Sequence, residues 1–360
     1  MMKIAIRPVD RVFIFLTGAV VIIAIILLAL LAGTAKVERQ PMVAYLANPL
    51  EAPEVWLAST DGSDSQPLTA TRGRVYDFAV APDGEQVLYS VMNEAGGSDL
   101  FRIDREGTNP VMLVDCGDHH CIQPAWQPDG QLIAYSQYKK GMELDSRINW
   151  IDGESGESLN ILDGLNPEGA FPVFSPDGQS LAYFSFADSS IHVLSLTTGI
   201  ESRVSSQNPD TPVWSDDGKL IYFTDMVTRG EVLQARLFQL IVENSKVELF
   251  MPAELTGYDA SKIDWSPDGE WAILGLKTLN SQSRRQIFIV RKDGSELQAV
   301  TADPNSSHSA YQWSPFGGQI IFQVYTFGVL NANPKIVLWD LATGRFTEIA
   351  ENGALPVWLP

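Results

Sequence analysis

Beyond residue 41 the apolar positions fall in short runs of strand length, broken by Gly, Pro, Asp and Ser, and the runs recur in groups of four. Such runs bounded by turn formers predict β-strands. The first run of a group leads into a shared phrase, as in Pro124-Ala125-Trp126 and Pro212-Val213-Trp214. The second follows it: Leu132-Ile133-Ala134-Tyr135, Leu181-Ala182-Tyr183-Phe184, Ile320-Ile321-Phe322. The third is Leu100-Phe101-Arg102-Ile103, Ile191-His192-Val193-Leu194 or Ile287-Phe288-Ile289-Val290. A glycine turn, such as Thr198-Gly199 or Asp293-Gly294, precedes a short fourth run such as Val111-Met112-Leu113-Val114.

The phrase occurs six times: Val80-Ala81-Pro82-Asp83-Gly84, Trp126-Gln127-Pro128-Asp129-Gly130, Phe174-Ser175-Pro176-Asp177-Gly178, Trp214-Ser215-Asp216-Asp217-Gly218, Trp265-Ser266-Pro267-Asp268-Gly269 and Trp313-Ser314-Pro315-Phe316-Gly317. A seventh copy begins at Pro356-Val357-Trp358 and is cut off. Proline presets the first turn position, aspartate tolerates the second, and glycine takes the left-handed conformation that closes a hairpin. The aspartates therefore have a structural reason and are not read as catalytic. The aromatic at the head of each copy is read as core between neighbouring sheets.

Turn glycines are separated by 46 (84 to 130), 48 (130 to 178), 40 (178 to 218), 51 (218 to 269) and 48 (269 to 317) residues. Four strands at this period fit one blade of a β-propeller. The length variation falls between second and third strands, at residues 139–143, 227–230 and 280–285, which are expected to form inserted loops. Val43-Ala44-Tyr45-Leu46, Glu54-Val55-Trp56-Leu57 and Gln66-Pro67-Leu68-Thr69 match second, third and fourth strands of a blade whose first strand is missing. Pro356-Val357-Trp358 supplies it, closing the ring. The expected fold is all-β, a seven-bladed propeller spanning 42–360, with six blades as the alternative count.

Residues 12–33 are uncharged and mostly apolar. A membrane-spanning helix needs about 20 such residues, and a cleavable signal has a shorter core. The segment is read as a transmembrane anchor after a cytoplasmic tail, 1–11, and before a linker, 34–41; cleavage near Gly33-Thr34-Ala35 is the other reading. Lys3, Arg7 and Arg11 precede the span, and Lys36 and Arg39 follow it, which puts the propeller outside the cytoplasm. The net charge of −19 disfavours nucleic acid. Only two cysteines occur, Cys116 and Cys121. An oxidising compartment favours a disulfide between them; free thiols, or a metal held with Asp118, His119 and His120, are the alternatives.

The Trp/Phe-Ser-Pro-Asp-Gly phrase followed by a strand such as Leu181-Ala182-Tyr183-Phe184-Ser185 resembles the WD-like repeat of the TolB-type β-propeller family. The resemblance covers residues 42–360 and implies a propeller that binds other proteins of the cell envelope. Similar repeats occur in the propellers of prolyl oligopeptidase-like enzymes, where an α/β-hydrolase domain supplies catalysis. No Gly-x-Ser-x-Gly nucleophile elbow occurs in this sequence. Metal-binding propellers of this repeat class use several histidines; here the four are His119, His120, His192 and His308. His192 is read as an ordinary strand residue, and neither a metal nor a cofactor is expected.

Function is then sought on the surface. The face with the inserted loops is expected to carry Arg72, Arg74, Lys139, Lys140, Arg229, Lys262, Arg284 and Arg285, and the opposite face the phrase aspartates. Candidate binding residues at the channel mouth are Tyr76, Asp77, Gln123, Phe171, Thr211, Ile263, Tyr311 and Leu355, with Arg284 and Arg285 on the same face. The expected role is non-catalytic: a protein-interaction or ligand-binding module in the envelope, with an envelope or extracellular protein, a polymer or a small ligand as partner. The alternative is a propeller enzyme, a hydrolase or lyase acting on an extracellular saccharide or peptide.

Overall fold

The computed structural model describes residues 40–159, 161, 167–208, 210–229, 232–250, 253–279, 281–330 and 332–360. The segment read as a transmembrane anchor, 12–33, lies outside them. Among the described residues no helix is long and apolar enough to cross a membrane. Residues Pro41–Pro360 form one compact unit.

That unit is almost entirely strand. In chain order come β1 (Met42–Ala47), β2 (Glu54–Ser59) and β3 (Ser65–Pro67), then β4 (Val75–Val80), β5 (Gln86–Met92), β6 (Ser98–Asp104) and β7 (Val111–Val114). β8 (His119–Trp126), β9 (Leu132–Lys139) and β10 (Arg147–Asp152) follow, then β11 (Ala170–Phe174), β12 (Ser180–Ser185), β13 (Ser190–Ser195) and β14 (Glu201–Ser205). Next are β15 (Val213–Trp214), β16 (Leu220–Arg229), β17 (Val232–Ile241) and β18 (Lys246–Leu249), and β19 (Tyr258–Trp265), β20 (Trp271–Thr278), β21 (Gln286–Arg291) and β22 (Gln298–Ala299). The last are β23 (Ser306–Trp313), β24 (Gln319–Thr326), β25 (Lys335–Asp340), β26 (Phe346–Ala350) and β27 (Gly353–Leu359).

Consecutive strands pair antiparallel into four-stranded sheets β11–β14, β15–β18, β19–β22 and β23–β26. β27 pairs with β1 in register Met42↔Leu359, Val43↔Trp358 and Ala44↔Val357, so one sheet holds both ends of the unit. The β4–β7 and β8–β10 groups are joined as one sheet by a single parallel bridge, Ser98↔His120. First strands of neighbouring groups touch: β4 with β8, β8 with β11, β15 with β19, β19 with β23, β23 with β27, and β27 with β4. This run of first-strand contacts, together with the sheet that joins β27 to β1, is the mark of a propeller-like all-β fold.

Alternation explains why the strands read as continuous apolar runs. In β1, Ala44 and Leu46 pack with Val75, Tyr89 and Ile103 on one side. Val43, Tyr45 and Ala47 pack with Ile321, Ile336 and Trp358 on the other. Each sheet is thus buried on both faces. Of the phrase aromatics, Phe174, Trp214, Trp313 and Trp358 are buried, and Trp126 and Trp265 are partly buried against apolar clusters.

The phrase glycines all adopt positive φ, from 66° at Gly269 to 76° at Gly317. Aspartate completes the turn by accepting the N–H two residues on, as in Gln179 N to Asp177 Oδ1 at 3.0 Å. Ser175, Ser215 and Ser266 donate their hydroxyls to Asp177, Asp217 and Asp268, which holds these carboxyls below the usual range. The expected inserted loop at 227–230 is instead strand over Val227, Thr228 and Arg229. These residues extend β16 against β17 through Val227↔Gln234 and Thr228↔Leu233, and β-branched residues favour that continuation.

Candidate functional site

The first strands do not run straight. Their ladders skip between Val75 and Phe78, Ile122 and Ala125, Ala170 and Val173, Ala260 and Ile263, and Ser309 and Gln312. Such bulges bend a strand and re-aim its side chains. At equivalent places Gln123, Phe171, Ala310 and Leu355 take positive φ of 54°, 58°, 47° and 52°. Non-glycine residues held there are strained, and strain of this kind gathers at binding sites.

The bulges free backbone N–H groups, and side chains of neighbouring first strands take them up. Gln123 N donates to Asp77 Oδ2 at 2.5 Å, and Phe171 N to Gln123 Oε1 at 2.9 Å. Closer to the phrase turns, Trp313 N donates to Asp264 Oδ2 at 2.7 Å and Trp358 N to Gln312 Oε1 at 3.4 Å. Burial raises Asp77 and Asp264 to about 6, against the lowering effect of those N–H bonds. Both residues are half-buried, and the surrounding protein strips most of the hydration from their carboxyls.

Two cavities open on that space. One, of about 290 Å³, is lined by Asp210, Ser261, Lys262, Arg285, Ser309, Ala310, Tyr311, Gln312, Leu355, Pro356 and Val357. The other, of about 510 Å³, lies at the phrase turns and includes Pro82, Pro267, Pro315, Asp216, Asp264, Gln312, Trp313 and Val357. Gln312 and Val357 line both, so the two cavities adjoin. Asp216 stands where the other five complete phrases have proline, and burial followed by repulsion from Asp217 raises its carboxyl.

The smaller cavity is the more built. The Tyr311 hydroxyl donates to the Lys262 carbonyl, lies 2.9 Å from Ser261 Oγ and accepts Gly275 N at 2.8 Å; burial pushes it up to about 12. A Cβ on Gly275 would run into Ser261 Oγ and come within 2.9 Å of Arg285 Cδ and 3.0 Å of Tyr311 Cε1. Glycine is what lets these three side chains converge. Arg285 Nε is shut off from solvent without a hydrogen-bond acceptor. Arg284 lies over the Phe327 ring at 3.8 Å.

Of the residues singled out in the sequence, Tyr311, Arg285 and Leu355 line this cavity together. Asp77, Gln123 and Phe171 form the hydrogen-bonded relay instead. Tyr76 is exposed, with its ring 6.3 Å from that of His120, and Thr211 is half-buried beside Asp210. Ile263 is 1% exposed and packs in the core with Leu274 and Leu276, because the bulge turns it away from the mouth. Sequence reasoning missed Ser261, Asp264 and Gln312 as lining residues. The last two carried a signal: they precede the phrase aromatic, where other copies have Ala79, Ala125, Val173, Val213 and Val357.

Cys116 and Cys121 form a disulfide. Their loop docks on the turn after β5 through Asn93 Nδ2 to Gly117 O at 2.8 Å and on β6 through Cys116 N to Asp99 Oδ1 at 2.9 Å. His308 is buried, with Nδ1 3.2 Å from the Arg285 carbonyl, and burial lowers its pKa. His192 is more than an ordinary strand residue. Nε2 lies 3.1 Å from Asp188 Oδ1 and Nδ1 lies 3.2 Å from Glu201 Oε2, a polar cluster on β13 and β14 with Tyr183.

Comparison with known proteins bears on both fold and role. Dipeptidyl-peptidase 5 of Porphyromonas gingivalis is 26% identical over 194 residues, 50% of this chain and 27% of that protein. The chain thus spans about a quarter of the length of this relative. Two solved structures share the fold. A Mycobacterium tuberculosis puromycin-hydrolyzing peptidase has a TM-score of 0.62 at 14% identity, over 88% of this chain and 52% of that one. An oligogalacturonate lyase from Vibrio parahaemolyticus has a TM-score of 0.60 at 14% identity, over 87% and 85%. The dipeptidyl-peptidase relative overturns the expectation of a module without catalysis, while the two solved structures bear on the fold alone. Turn and packing residues report a scaffold that enzymes and binding proteins share, so the repeat had no power to separate them. The TolB beta propeller domain model matches residues 91–325, and the chain belongs to that family.

Proposed function

We propose that this chain is the propeller of an enzyme that acts on peptides, with the passage through the ring receiving the substrate. The reading takes the ring as seven-bladed, closed by β27 against β1. It places the propeller outside the cytoplasm, held at the membrane by residues 12–33. The observation that carries it is the pair of adjoining cavities, of about 290 and 510 Å³, that share Gln312 and Val357 in their walls. The peptidase relative supports peptide over saccharide as the substrate class, since the lyase likeness bears on the fold alone. The test is incubation of the purified full chain with a library of short peptides and, separately, oligogalacturonate, read by mass spectrometry. Consumption or retention of peptides with oligogalacturonate untouched is the expected result. A library recovered unchanged and unbound overturns the proposal.

A further inference from the structure

Arginine carries five N–H donors and cannot lose its charge. At Arg285 one of them, Nε, is cut off from water without an acceptor, although buried donors are ordinarily paired. No carboxylate is within ion-pair distance of this guanidinium among the described residues. Lys262 lines the same cavity and is itself exposed. Facing the two cations is one acid, Asp210, whose carboxylate accepts Thr211 N at 2.8 Å. Asp264 of the adjoining cavity acts electrostatically on Lys262, so Arg285 is the cation of this cavity left without an acidic partner.

The local structure is arranged around that arginine. Gly275 leaves space for the Arg285 stem, and Tyr311 is fixed beside it by Ser261, Gly275 and the Lys262 carbonyl. A planar guanidinium held this way matches a carboxylate better than any neutral group. With about 290 Å³, the cavity admits the end of a peptide.

We propose that this cavity recognises the C-terminal carboxylate of a peptide, with Arg285 as the principal contact and Lys262 as a second cation. The proposal rests on the peptide-acting reading above and specifies which end of the substrate the propeller holds. The test is titration of the full chain with trialanine, its C-terminal amide and galacturonate, followed by intrinsic tryptophan fluorescence or calorimetry. The acid is expected to bind about tenfold or more tightly than the amide, as for a charge-assisted pair. Arg285→Gln should abolish the difference, Lys262→Gln should reduce it, and Gly275→Ala should weaken it by displacing the arginine stem. Unchanged melting midpoints confirm that the Arg285 and Lys262 variants are folded. Equal binding of acid and amide, or a preference that survives Arg285→Gln, overturns the carboxylate assignment and leaves the peptide reading standing. Arg285-dependent binding of galacturonate without trialanine overturns the peptide reading alone. No binding of any of the three overturns both.

Discussion

Asp264 offers a quantitative check on the physics of the ring. Its Oδ2 accepts Trp313 N at 2.7 Å, yet burial lifts its pKa from an ordinary 3.8 to about 6. That displacement corresponds to about 3 kcal/mol between the two protonation states. Between roughly pH 4 and 6 the folded chain holds a proton that the unfolded chain has released. Stability therefore falls as pH rises through this window. Below about pH 4 both states are protonated and the burden is absent; above about pH 6 it is complete. Asp264→Asn keeps an acceptor for Trp313 N and removes the charge. It should stabilise the protein by about 1–3 kcal/mol near pH 7.5, the lower bound allowing for a buried amide NH₂ lacking partners. Near pH 4 the gain should vanish. Urea unfolding midpoints of both proteins at the two pH values supply the measurement. A variant no more stable than the parent near pH 7.5, or equally stabilised at both, would refute a desolvated carboxylate at this position.

Two other perturbations probe the closure of the unit and the short covalent loop. Trp358 is 5% exposed and packs with Val43, Tyr45, Ile321 and Ile336, so Trp358→Ala should cost about 3–5 kcal/mol in denaturant unfolding. Phe346→Ala, on an outer strand and 51% exposed, should cost less than about 1 kcal/mol; similar losses for both would contradict the packing described. Replacing Cys116 and Cys121 together by alanine removes a crosslink over a sequence separation of 5 and should lower stability by about 2 kcal/mol. An unchanged melting temperature would count against that contribution.

What could be read directly from the chain was whatever a local rule governs. Turn positions followed from Pro-Asp-Gly because glycine alone takes positive φ at no steric cost, and all six phrase glycines take that conformation. Apolar runs identified the strands because each sheet is buried on both faces. The mouth was less legible. Asp77, Gln123 and Phe171 were singled out as ligand contacts and turn out to satisfy one another's backbone across strands. Ile263 faces the core because a bulge resets the alternation that sequence counting assumes.

The sequence by itself determined the repeat, the hairpin turns and the aromatic positions between sheets, because each depends on neighbours a few residues away. Only the tertiary structure decided which side chains meet. Ser261, Gly275, Arg285 and Tyr311 come from β19, β20, the connection into β21, and β23, and they converge because the sheets stack around an axis. The unpaired donor of Arg285 and the raised pKa of Asp264 are consequences of enclosure by distant segments. Enclosure depends on packing across the ring, which local sequence rules do not encode.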